Sequence, residues 1–218
     1  MLSEFTYERP ELRLERKDQA QNIWREGIAF NGSPDQELNR ITNKVIEVAQ
    51  KIGPRVCKLS GNEGNSGFMI GISKNEPNFP LLTVQIGTIE IADPLYGSDG
   101  KRSKYPEFVD KKTRVIQMNP GFISSGENSK LPDKWKEKSS QGVEIPDGAI
   151  AVGNNHEYVI TTSAFKNPKM DAAVSIAMAV GASLISLDKA EELAHDKRFN
   201  CIKEFMGMED ILIEEVLH

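Results

Sequence analysis

Three strand-like segments follow one another between residues 55 and 91, with no stretch between them long enough for a crossover helix. Residues 55–60 place Cys57 and Leu59 on one face. Residues 67–73 place Phe68, Ile70 and Ile72 on one face, with Met69 and Gly71 opposite. Residues 81–91 begin with Leu82, Val84 and Ile86 inward and continue with Ile89 and Ile91. Parallel neighbours need a crossover of a dozen or more residues, so these segments are expected to pair antiparallel. The parity of the third segment changes at Gly87-Thr88, which a straight strand facing one core cannot do, so a bulge or bend is expected there.

Ahead of the strands, Ser33-Pro34-Asp35-Gln36 reads as a helix start, with serine as cap, proline at the first position and glutamine closing a capping box. Leu38, Ile41, Val45, Val48 and Ile52 then recur every three or four residues, the stripe of an amphipathic helix. Gly53-Pro54 is expected to end it. Residues 1–32 read as an N-terminal arm with a short helix around Ile23 and Trp24. Residues 33–218 read as a single α+β domain.

Residues 92–148 form an irregular, basic insertion broken throughout by proline and glycine. Inside it, residues 106–118 fit either a helix or a short helix followed by a strand from Thr113. Beyond it, residues 149–153 and 158–162 flank Asn154-Asn155-His156-Glu157 as a hairpin. Asn167-Pro168 opens a helix rich in small residues (Ala172, Ala173, Ser175, Ala177, Ala179), expected to lie close across the sheet. Asp188-Lys189-Ala190-Glu191 reads as a further capping box, followed by two or three short helices. The expectation is a largely antiparallel sheet of about five strands with helices packed on it.

Composition narrows the function classes. Hydrophobic residues are 39% and charged residues 27%, the balance of an ordinary globular chain. A net charge of −5 argues against nucleic acid or an anionic membrane as the main partner. The longest weakly polar run, residues 172–187, is too short and too alanine-rich to span a bilayer. The N-terminus turns acidic too early for a signal peptide, and the cytoplasm is the expected location. Cys57 and Cys201 stand in apolar contexts and are expected to be reduced and buried.

Candidate sites are few. The segment Gly61-Asn62-Glu63-Gly64-Asn65-Ser66-Gly67 lacks the lysine and the following helix of a phosphate loop, so it reads as a hairpin turn. Neither serine pair, Ser124-Ser125 or Ser139-Ser140, stands in a nucleophile elbow. Three histidines are too few for a histidine-rich metal site, and Glu90, Asp93 and Asp99 match no calcium loop, so no metal is expected. No cofactor is identified. His156, in a turn beside Glu157, is the histidine best placed to serve as ligand or general acid/base, against the plainer reading of an exposed turn residue. Residues 101–138 hold ten basic side chains, Arg102 and Lys104 among them, against five acids; residues 188–218 hold nine acids against four basic residues. Such segments can pair within or between subunits, or the basic one can wall an anion pocket, or both are simply solvated surface.

The helix over 38–52, Val48-Ala49-Gln50-Lys51-Ile52-Gly53 leading into residues 55–60, and Gly148-Ala149-Ile150-Ala151-Val152-Gly153 leading toward Asp171-Ala172-Ala173-Val174 together resemble the GlcG/HbpS-like family over about half of the chain. The basic insertion departs from that family's middle helix. The resemblance implies a small oligomeric α/β protein, some family members being implicated in binding haem or other small molecules. It carries over no ligand residue.

The leading expectation is a self-associating protein that binds a small, anionic molecule. Its cleft would lie at the sheet edge, between the segment from Asp93 to Lys104 and the turn at His156. Arg102 and Lys104 would bind the anion and His156 would orient it. The first alternative is a cytosolic hydrolase or transferase with Asp93 and His156 as its acid/base pair. The second is a structural or protein-interaction module.

Overall fold

The computed structural model describes residues 13–17, 23–27, 36–60, 65–77, 79, 81–89, 104–119, 121–126, 147–163, 165 and 168–207. Their elements are strands β1 (Arg13–Lys17) and β2 (Ile23–Gly27), helix α1 (Gln36–Leu59), strands β3 (Asn65–Lys74) and β4 (Leu82–Ile89), helix α2 (Lys104–Gln117), strands β5 (Ala149–Val152) and β6 (Tyr158–Ser163), and helices α3 (Pro168–Gly181) and α4 (Leu187–Phe205). Helices pack on a four-stranded antiparallel sheet in the order β4-β3-β6-β5. The pair β1-β2 continues the ladder past β4. The fold class is α+β.

Alternate residues of a strand point to opposite faces, and β6 shows which helix lies where. The Thr161 hydroxyl meets that of Thr113 on α2 at 2.7 Å, while the next residue, Thr162, meets Ser175 on α3 at 2.8 Å. Helix α2 therefore covers one face, and α3 the other, together with α1. Phe68, Ile70, Ile72, Val84, Ile150, Val152 and Ile160 are buried beneath α1 and α3. Ala149, Ala151 and Val159 are buried with Ile116 of α2. Two covered faces explain why β5 and β6 are buried almost without alternation.

Several elements differ from the sequence-based expectation. Residues 55–60 are not a strand: α1 runs through Pro54 to Leu59, and the sheet loses one of its five expected strands. Proline costs one backbone bond and its ring crowds the preceding turn. Here Val56, fully buried, continues the apolar stripe and offsets that cost. Gly53 allows the fit, since a Cβ there would meet Ile86 Cγ2 at 3.3 Å. The glycine-rich turn thus leads from a helix into β3, and its residues 61–64 lie outside the described ones. The segment around Ile23 and Trp24 is a strand, paired with β1 and with β4 (Trp24 opposite Gln85), where partners supply hydrogen bonds that a short isolated helix would have to make alone.

At Gly87 the pairing with β3 stays one-to-one from Ile72↔Leu82 to Asn65↔Ile89, so there is no bulge. Gly87 itself leaves extended geometry, with φ of 69°. Residues 104–117 form one helix with no strand from Thr113. The chain's last described segment is one 19-residue helix, α4, not two or three short ones, and its cap is Ser186. The hairpin β5–β6 and the small-residue helix α3 agree with the expectation. Among the described residues no helix is long and apolar enough to cross a membrane.

Candidate functional site

The β5–β6 connection is a tight turn in which the His156 N–H donates to the Gly153 carbonyl at 3.2 Å. His156 has φ of 56°, a left-handed conformation that few non-glycine residues adopt, although histidine tolerates it better than most. Asn75 fixes the turn from β3: its backbone N–H donates to the Glu157 carbonyl at 2.7 Å, and its side-chain Nδ2 to the His156 carbonyl at 2.9 Å. The backbone of His156 is thus held on both sides. Its half-buried imidazole makes no hydrogen bond among the described residues.

The α3–α4 junction faces this turn. Helix α3 ends in a left-handed cap: the Leu184 N–H reaches the Ala179 carbonyl at 2.8 Å, the Ser183 N–H reaches that of Val180 at 2.9 Å, and Ser183 has φ of 60°. This is the six-to-one closure in which glycine is usual. The Gly153 N–H donates to Leu184 at 3.3 Å and ties turn and junction together. Three residues on, the Ser186 side chain accepts the Lys189 N–H at 3.1 Å and caps α4.

Between turn and junction lies a depression of about 670 Å³. Ala151, Val180, Leu184, Ile185 and Leu193 supply apolar lining; Asn154, His156, Ser183, Ser186 and Lys189 supply polar groups. The Lys189 ammonium contacts the Glu192 carboxylate at 2.6 Å in an exposed pair.

Of the residues expected to form a site, His156 is the one described residue that lines this depression. Asp93 and Arg102 lie outside the described residues. Lys104 opens α2, and the structure does not bring it to His156. Along α2, Lys112 Nζ donates to the Thr162 carbonyl and Gln117 Nε2 to the Lys74 carbonyl, while Lys74 pairs with Tyr158. The helix therefore runs toward the turn, and Lys104 sits at its far end, about 20 Å back along the axis at 1.5 Å per residue. Glu157, the nearest carboxylate in sequence, folds back over Gly153, where a Cβ would collide with it. No carboxylate bonds the imidazole among the described residues. The arrangement places a half-buried hydrogen-bonding group on a depression lined by both apolar and polar residues. Among the described residues, no three His, Cys, Asp or Glu side chains are grouped to hold a metal ion.

A second polar cluster escaped the sequence reading. Lys112 of α2, fully buried, donates to Asp171 Oδ2 at 2.7 Å and to the Thr162 carbonyl at 2.8 Å. The Phe165 N–H reaches Asp171 Oδ1 at 3.4 Å, and Ser175 donates to the Gly148 carbonyl at 2.6 Å. Burial raises the Asp171 carboxyl to about 7; Lys112 and the Phe165 N–H pull it down, and Asp147 adds to the rise. Both charges are sealed from solvent with their partners inside, so the cluster is a junction between elements and not an open site. A signal existed: Val109, Lys112 and Ile116 share one helical face, where a lone lysine between buried aliphatics needs an internal partner.

No protein-family model matches the chain, and neither a curated protein nor a solved structure matches it.

Proposed function

We propose that the protein binds a small molecule in the depression between the His156 turn and the α3–α4 junction. The observation that carries this reading is the His156 imidazole, which makes no hydrogen bond among the described residues, on an open depression of about 670 Å³ lined by both apolar and polar side chains. Two left-handed non-glycine residues, His156 and Ser183, flank it, and such backbone strain clusters at functional sites. The hydrolase or transferase alternative pairs His156 with Asp93, which lies outside the described residues, and no geometry among the described residues supports it.

We further propose self-association, supported by the opposite charge balance of residues 101–138 and 188–218. A cytoplasmic location is supported by two free thiols, Cys57 and Cys201. Kinship with the GlcG/HbpS-like family is supported by the order in which β5 and β6 lead into α3 with Asp171 in its first turn.

The test is a small-molecule fragment screen of the full chain by amide-resolved NMR, paired with native mass spectrometry. Hits should shift Gly153, His156, Ser183 and Leu184, and Leu184→Arg, which puts a larger, charged side chain in the lining, should abolish them. A screen without hits at these residues would refute the binding reading. A monomeric mass would refute self-association.

A further inference from the structure

The lining of the depression is chemically lopsided. Among the described residues that line it, Lys189 carries the only formal charge and none is acidic. The α3–α4 junction contributes Leu184, Ile185, Leu187 and Leu193 to the lining, together with Ser183 and Ser186. At the amide end of α4 the Ser186 side chain accepts the Lys189 N–H. The Lys189 side chain adds a full positive charge at the same place. Its ammonium is held by Glu192, with side-chain exposures of 40% and 66%, so an incoming anion can exchange for that carboxylate at little cost.

We infer that the depression takes an amphipathic monoanion, a molecule with an aliphatic body and one carboxylate, and that Lys189 receives the carboxylate in place of Glu192. This rests on the small-molecule reading above and adds the ligand class. The aliphatic body lies on the leucine and isoleucine side chains and displaces water from apolar surface. His156, which also lines the depression, supplies a hydrogen bond to any further polar group of the ligand.

The test is calorimetric titration of the full chain with sodium octanoate, 1-octanol and inorganic phosphate. Octanoate should bind about fivefold more tightly than octanol, the scale of one partly exposed ion pair, and phosphate should not bind. Lys189→Gln should bring octanoate down to the octanol level. Glu192→Gln, which frees Lys189, should tighten octanoate and leave octanol unchanged, an effect no loss of folding can imitate. Equal binding of octanoate and octanol would overturn the charge preference and leave the small-molecule reading standing. Phosphate binding without octanoate would overturn the aliphatic part. If all three are silent while fragments still shift Ser183 and Leu184, the inferred class is wrong and the site remains; if fragments are silent too, both readings fall.

Discussion

Lys112 and Asp171 belong to helices on opposite faces of the sheet, yet Lys112 Nζ lies 2.7 Å from Asp171 Oδ2. They meet where β5 begins and β6 ends, beside Gly148. A Cβ at Gly148 would come within 2.8 Å of Lys112 Nζ, of Asp171 Cβ and of the Thr162 carbonyl. The missing side chain is the gap through which the lysine reaches from one layer to the other. One ion pair thereby ties α2, β6 and α3 together around the sheet end.

Asp171 should titrate far above an ordinary carboxylate. Burial is the largest cause and raises it from 3.8 to about 7. Between these values the folded chain holds a proton that the unfolded chain has lost. The stability due to this group is therefore fully present below about 4 and is lost as pH rises through about 7, at up to about 1.4 kcal/mol per pH unit. Carbon-detected NMR of the Asp171 carboxyl, alongside urea unfolding at stepped pH, measures both. A midpoint below 4 contradicts this account.

Lys112→Met should cost more at high pH than at low pH. At pH 8 the variant has lost the charge that pulls the Asp171 carboxyl down, so the buried acid must take up a proton against the pH, at a cost that grows by up to about 1.4 kcal/mol per pH unit. At pH 5 the acid is protonated and the loss is smaller. Urea midpoints at the two pH values decide it, and equal costs would mean that Asp171 does not hold the charge assigned to it.

Gly148→Ala should destabilise by about 2–4 kcal/mol, because φ of 139° strains any side chain and the added carbon overlaps three buried groups. Gly121→Ala is the control: a Cβ there meets nothing within 4 Å, and the change should stay within about 0.5 kcal/mol. Thermal melts of both variants suffice. Similar losses in the two would remove the special role of Gly148.

The fit of α2 on the sheet can be tested at Gly71, where an added Cβ collides with Val109 Cγ1. Gly71→Ala alone should cost about 1–3 kcal/mol. Combined with Val109→Ala it should cost less than the sum of the single changes, by about 1 kcal/mol, since one change makes room for the other. Strict additivity would show that the two positions do not touch.

Cys57 and Cys201 should be sluggish toward thiol reagents at neutral pH. Burial raises both thiols to about 11, with Glu204 adding to the rise at Cys201, so the reactive thiolate is scarce. A colorimetric thiol assay should count both only after denaturation. Prompt reaction of either in the native protein would show that its helix opens.

Much of this fold is legible along the chain. The spacing of Leu38, Ile41, Val45 and Ile52 predicts α1, alternation predicts β3 and the β5–β6 pair, and Asn167-Pro168 with its alanines predicts α3. The misreadings share a cause. Gly53-Pro54 is a strong local stop signal, but the continued stripe through Val56 and the core under it outweigh one proline. His156 is identifiable by type and turn position, whereas Ser183 and Leu184, which line the same depression, come from an element nearly thirty residues away.

What the sequence alone determined is therefore periodic: where apolar residues recur at helical or strand spacing, and that successive strands must run antiparallel. Such patterns are local, because the period of a helix or strand is written within a few residues. The tertiary structure alone decided which helix covers which face, that Lys112 meets Asp171 past Gly148, and that the His156 turn closes on the α3–α4 junction. Those contacts join residues tens of positions apart, and their geometry is set by packing and by the direction of whole elements, which no short window of sequence contains.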